Sequence, residues 1–133
     1  MIIKISSLFI AMLIMVGIAY SEDFPVIGAT YQIDRAAFPG KIAVCCTEDA
    51  MDKYMEAQQY NDQITMQKML FEVSTIDDME RMKKANGCML ISSYSQAETI
   101  EKGTMGPYIR AHFFACPLKS MWGYSLYFGG RVK

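Results

Sequence analysis

The stretch that most constrains the fold is the C-terminal third of the chain, residues 88–127, where short apolar runs alternate with turn signals. In its clearest segment, PYIRAHFFA, the residues alternate between two faces, a period of two that is typical of a β-strand. One of these faces carries Tyr108, Arg110, His112 and Phe114. Several short strands at regular spacing, mostly within 88–128, predict a small β-barrel.

A helical insert is predicted upstream, at about residues 47–86. Thr47 is a typical N-cap residue, and the two acidic residues that follow it favour the N-terminal end of the helix dipole. Asn61–Asp62 interrupts the apolar stripe, and a second helical run is expected over residues 63–73. The insert therefore contains two or three helical segments.

The last segment of the insert has its own start and stop signals. Ser74 is the predicted N-cap, with Asp77 three residues later as a variant of the capping box. Asn86–Gly87 is expected to end the helix.

The N-terminus predicts export. One positive charge, Lys4, precedes an apolar run over residues 8–19, which is too short for a typical membrane-spanning helix. Ala19 and Ser21 supply the small side chains of a signal-peptidase site. We expect residues 1–21 to be a cleaved signal peptide and residues 22–133 to form one periplasmic or secreted domain. The alternative is an uncleaved anchor, in which case this segment would be the only membrane contact.

The four cysteines predict disulfides, because an even number of Cys in an oxidising compartment usually forms a covalent framework. A bond within the vicinal pair Cys45–Cys46 would close a very small strained ring and is discounted. One member of the pair is then expected to bond Cys88, which leaves the other for Cys116. The residues alone do not decide which member bonds which partner.

Charge argues against nucleic acid as a partner. The whole chain carries 13 basic and 14 acidic side chains, for a net charge of −1, and loss of Lys4 with the signal makes the mature domain slightly more acidic. Binding of a phosphate backbone requires clustered Lys and Arg.

The arrangement resembles small exported bacterial proteins with a Src-homology-3-like barrel. The matching features are a Cys before a helical insert, a Gly-Cys and an apolar strand after it, a ΦxR motif, and a late Trp. In this chain they are Cys45 or Cys46, residues 87–90, residues 108–110, and Met121–Trp122. Members of that group are largely of unknown function, so the resemblance implies a fold and a compartment. The long insert and the additional Cys residues depart from the pattern.

The sequence gives little support for catalysis. His112 is the single His, and no nucleophile motif accompanies it, so a structural or surface role in the strand is favoured. The vicinal cysteines do not match zinc-ligand spacing, and most of the 12 Met read as signal or core residues. We therefore expect no enzymatic activity, no metal and no cofactor.

The strongest functional signal is the density of aromatic residues near the C-terminus. Some of these side chains are expected to form the core, and the others could line an exposed groove for an extended peptide. The candidate groove residues are Tyr108, Arg110, His112, Trp122 and Tyr124.

Together these features predict an α+β protein: a small Src-homology-3-like β-barrel with a helical insert, stabilised by disulfides. The expected role is a non-enzymatic binding or accessory module of the cell envelope with a protein or peptide partner. An inhibitor or immunity protein against an envelope enzyme is the alternative, and a small hydrolase or thiol-redox protein is a second one.

Overall fold

A computed structural model describes residues 25–133, so the predicted signal peptide, residues 1–21, lies outside the described residues. The described chain is a mixed α+β structure, as predicted, with a seven-stranded antiparallel sheet and three α-helices. The elements in chain order are β1 Thr30–Ile33, β2 Lys41–Cys45, α1 Glu48–Gln59, α2 Gln63–Met69, α3 Ile76–Lys84, β3 Cys88–Ser92, β4 Gln96–Lys102, β5 Tyr108–Phe113, β6 Met121–Tyr124, a 3-10 helix Ser125–Tyr127, and β7 Phe128–Arg131.

The sheet is strongly curled. Its strand order is β3-β2-β6-β5-β4-β1-β7, so four inter-strand spacings separate β6 from β7, or roughly 19 Å in a flat sheet. The 3-10 helix that joins these strands has only three residues and covers roughly 8 Å. The sheet must therefore bend until its β7 end approaches β6.

The sheet is nevertheless open, because within residues 25–133 no pairing joins the two edge strands, β3 and β7. The α+β class and the helical insert are as predicted, but closure into a barrel is not observed in this part of the chain.

Helix α1 begins as the sequence predicts. The side chain of Thr47 accepts a hydrogen bond from the backbone N–H of Ala50, and Glu48 and Asp49 lie in the first turn. The helix ends before Asn61, which takes a positive φ of 54° that breaks the helical path. Four residues of helix α1 are buried, Ala50, Met51, Tyr54 and Ala57, and the first three of them belong to the hydrophobic core.

The second predicted helix is shorter than expected. Helix α2 stops at Met69, and Leu70 is already extended. Leu70 forms a parallel bridge with Cys88, and the backbone N–H of Phe71 donates to the Cys88 carbonyl at 2.8 Å. Pairing with the edge of β3 thus replaces the helix that periodicity predicted over residues 63–73.

The predicted N-cap of the last helix is wrong by one residue. Thr75, not Ser74, caps α3, and Asp78, not Asp77, completes the capping box. The Asp78 carboxylate accepts the backbone N–H groups of both Ser74 and Thr75, and the Thr75 hydroxyl accepts the backbone N–H of Asp78. The N-cap is therefore Thr75, one residue later than predicted.

One disulfide joins the two strands that flank the helical insert. Cys45 and Cys88 are register partners on β2 and β3 and are bonded, with a sequence separation of 43. Cys46 and Cys116 are free thiols, so the predicted second bond is not formed. The observed disulfide is consistent with a periplasmic or extracellular location.

Within residues 25–133, the buried side chains of the curled sheet and the helices form one hydrophobic core. Tyr31, Ile33 and Phe113 contribute from the sheet, and Met51 and Met82 from the helices. The rings of Phe113 and Tyr31 both contact Phe128 of β7, at centroid distances of 5.9 and 6.0 Å.

Candidate functional site

The five predicted groove residues lie on one face of strands β5 and β6. In the antiparallel register Tyr108 is opposite Tyr124, and Arg110 is opposite Trp122. Directly opposite residues point to the same side of a sheet, and strand alternation adds His112 to that side. We call Tyr108, Arg110, His112, Trp122 and Tyr124 the β5–β6 face.

Helix α1 covers one end of the β5–β6 face. Tyr108 is only 6% exposed, and its hydroxyl donates to Asp52 Oδ1 at 2.7 Å. Burial, followed by this hydrogen bond, raises the pKa of Tyr108 above its usual range. The Tyr124 ring lies 6.4 Å from the Tyr108 ring and is half-buried. This end of the face is therefore ordered by the helix and is not a free groove.

The other end of the face is more open. The half-buried Arg110 donates from Nε to Glu101 Oε1 at 2.7 Å and from Nη1 to Ser120 Oγ at 3.1 Å. A guanidinium carries five N–H donors, so these contacts fix its position and leave donors for a ligand. Trp122, opposite Arg110, is half-buried as well.

His112 is exposed at the far end of β5, and its ring lies 5.2 Å from the ring of Phe114. Phe114 is 49% exposed, which is high for a Phe side chain. Together with Trp122, these rings provide accessible aromatic area beside Arg110.

A pocket of about 710 Å³ adjoins the covered end of the face. It lies between the C-terminal half of α1 and the start of β5. Its lining residues are Asp52, Met55, Glu56, Gln58, Gln59, Tyr60, Pro107, Tyr108 and Tyr124. Of these residues, only Tyr108 and Tyr124 are predicted site residues. One sequence signal points to the α1 wall of the pocket: Asp52 and Glu56 are four residues apart and therefore lie on one face of the helix.

The β4–β5 loop, which precedes Pro107 at the wall of this pocket, is hydrogen-bonded to the start of α1. The Glu48 carboxylate accepts the backbone N–H groups of Thr104 and Met105, each at 3.1 Å. A Cβ at Gly103 would collide with the Glu48 carboxylate, so a larger residue there would displace that carboxylate from the loop. The β4–β5 loop is thereby held against the helix.

The two free thiols lie elsewhere. Cys46 is half-buried and lines a separate pocket of about 730 Å³ that also contains Lys83 and Lys119. Cys116 is buried, with its Sγ 3.8 Å from Met89 Sδ. Burial raises the pKa of both thiols and so favours the less reactive protonated form. Across residues 25–133 no group of three or more His, Cys, Asp or Glu side chains is arranged to hold a metal ion.

None of the helices described within residues 25–133 has the length and apolar character needed to cross a membrane.

Comparisons of the chain with protein-family models, with curated proteins and with solved structures found no match.

Proposed function

We propose that the protein is an exported, non-enzymatic binding module of the cell envelope that holds a protein or peptide partner on its β5–β6 face. The observation that carries the proposal is the register of β5 and β6, which brings Arg110, His112 and Trp122 together at the open end of one sheet face. The export part rests on the predicted signal peptide, and the disulfide fits it.

The chemistry of the open end suits a polypeptide ligand. Trp and Arg are the residue types most often found to dominate binding energy at interfaces, and Trp122 and Arg110 are adjacent and partly accessible. Arg110 is positioned by Glu101 and Ser120 before any ligand arrives, so little side-chain entropy remains to be lost on binding. Its remaining N–H groups could donate to a backbone carbonyl or a carboxylate of the partner.

We also propose that the curled sheet is an incompletely closed barrel of the Src-homology-3-like type. The short 3-10 connection between β6 and β7 supports this, because it requires the two ends of the sheet to approach each other. Small barrels of this kind commonly present an aromatic face to extended peptides.

A thiol-redox role is the second candidate, and the free thiols of Cys46 and Cys116 are the observation that favours it. The raised pKa values of both thiols count against it, since the thiolate is the reactive form.

The binding proposal is tested with a random-peptide display library screened against the mature, oxidised protein. Peptides that bind are remeasured by calorimetry against Trp122→Ala and against the matched control Tyr94→Ala, which removes an aromatic ring that is 68% exposed and lies off the face. We expect Trp122→Ala to weaken binding by about tenfold or more and Tyr94→Ala to leave it unchanged. Equal affinities for both variants, or no binding peptide at all, would contradict the proposal.

A further inference from the structure

The pocket beside α1 has an unbalanced charge. Asp52 and Glu56 are the only charged residues among those that line it in the described chain. Asp52 Oδ1 accepts the hydroxyl of Tyr108, whereas Asp52 Oδ2 and the Glu56 carboxylate have no hydrogen-bond or ion-pair partner within residues 25–133. Two carboxylates therefore border the pocket, and no cationic side chain of residues 25–133 neutralises them.

The position of these acids on the helix increases the negative potential. Like charges four residues apart on a helix repel one another. The C-terminal end of a helix also carries a partial negative charge, and the last turn of α1 contains no basic residue. A cation bound in the pocket would relieve both effects.

The walls of the pocket are aromatic. Tyr60 is 72% exposed at the pocket, and the rings of Tyr108 and Tyr124 form another wall. The faces of aromatic rings attract cations. Met55 and Pro107 add apolar surface that can contact an aliphatic stem.

A neighbouring pocket on the other side of α1 has a smaller imbalance of charge. That pocket, of about 560 Å³, is lined by the acids Asp49, Glu56 and Asp62 but also by Lys53 and Lys68. Its lining acids face two Lys side chains, which leaves a net charge of −1. The pocket that adjoins the β5–β6 face shares Glu56 with it but has no basic residue and carries a net charge of −2.

We infer that the pocket lined by Asp52, Glu56, Tyr60, Tyr108 and Tyr124 binds the cationic side chain, Lys or Arg, of the partner peptide. The inference rests on the proposed function, because the same Tyr108 and Tyr124 begin the β5–β6 face along which the peptide would continue towards Trp122. The volume of about 710 Å³ lies within the range of ordinary ligand pockets and accommodates such a side chain.

The pocket is tested directly by titrating the oxidised, ¹⁵N-labelled protein with N-acetyl-arginine amide and N-acetyl-lysine amide. Their neutral counterparts, the citrulline and norleucine amides, serve as matched probes. We expect the cations to shift the backbone amides of Asp52, Glu56, Tyr60 and Tyr108, and the neutral probes to bind at least about fivefold more weakly. Molar salt should weaken the cation response.

Substitutions assign the effect to the two carboxylates. Glu56→Gln and Asp52→Asn preserve shape, and the Asn oxygen can still accept the Tyr108 hydroxyl. Each should weaken cation binding by about threefold or more. Glu72→Gln, an exposed acid outside the pocket, is the charge-matched control and should have no effect. Equal binding of neutral and cationic probes, or an equal response of Glu72→Gln and Glu56→Gln, would overturn the inference.

Peptides from the display screen separate this inference from the proposed function. Each binding peptide is remade with citrulline for Arg and norleucine for Lys. If the neutral peptide binds the unmodified protein more weakly than the charged peptide, but both bind Glu56→Gln equally, the result supports the cation pocket. Peptides that keep full affinity after neutralisation, and still depend on Trp122, would overturn the pocket while the proposed function stands. If the small cations bind but the screen yields no binding peptide, both the proposed function and the inference that the cation belongs to a partner peptide are overturned.

Discussion

Reduction of the Cys45–Cys88 disulfide is expected to remove a large part of the stability of the protein. The bond joins residues separated by 43 positions and encloses the whole helical insert. The loop-entropy relation gives about 4 kcal/mol for a loop of this length. Net folding free energies of small domains are about 5–15 kcal/mol, so the reduced protein should be close to unfolding.

The assay is urea denaturation with and without reductant, followed by the fluorescence of Trp122, the single Trp of the chain. Trp122 is on β6 and is the register partner of Cys45, so it reports on β2, one of the two strands that the disulfide joins. With a urea slope of about 1.5 kcal/mol per molar, a loss of about 4 kcal/mol lowers the midpoint by roughly 2.7 M.

The free thiols provide the control for this experiment. A Cys46→Ser, Cys116→Ala double variant keeps the Cys45–Cys88 bond but has no other thiol, so reductant can act only on that bond. We expect the same shift of the midpoint in this background. A shift below about 0.5 M would refute the view that the disulfide anchors the insert.

Two further predictions concern the ordering of the pocket and its tyrosines. Gly103→Ala should lower stability by about 1–2 kcal/mol, because its Cβ displaces the Glu48 carboxylate that holds the loop, while Gly130→Ala, whose Cβ meets nothing within 4 Å, should not. Thermal melts check this, and equal melting temperatures for the two variants would contradict it. Burial raises the pKa of Tyr108 and Tyr127 above the ordinary value of 10, so the stability that they contribute is complete below about pH 10 and is lost as the pH rises above it. Tyrosinate absorbance should show these two groups ionising only as the fold is lost; ionisation of all tyrosines near pH 10 in a still folded protein would rule this out.

Local signals in the sequence predicted local structure well. The N-cap at Thr47, the break at Asn61 and the alternation along β5 all depend on residues close in sequence, and all three are confirmed. The end of α2 was missed because the extended conformation of Leu70 is set by its pairing with Cys88, which is distant in sequence.

The pairing of the disulfide also depends on contacts between residues that are distant in sequence. Composition and compartment pointed to Cys88 and to one member of the vicinal pair. The choice of Cys45 follows from strand register, since adjacent strand residues point to opposite faces and only Cys45 is opposite Cys88. Register is a property of the assembled sheet.

In the candidate site, too, some residues follow from the local sequence pattern and others only from the packing of the fold. Alternation along β5 is enough to predict that Tyr108, Arg110 and His112 share one face. The pocket could not be predicted, because Asp52 and Glu56 become its walls only when α1 packs beside β5 and β6. On the sequence alone they are ordinary surface acids of a helix.

The central claim is that the β5–β6 face is the binding surface. The most direct measurement is a map of backbone amide shifts in the ¹⁵N-labelled, oxidised protein, titrated with the tightest peptide from the display screen. We expect the largest shifts on Arg110, His112 and Trp122, extending to Tyr60 beside α1. Shifts concentrated instead on the edge strand β3 and on Tyr94 would show that the partner binds elsewhere.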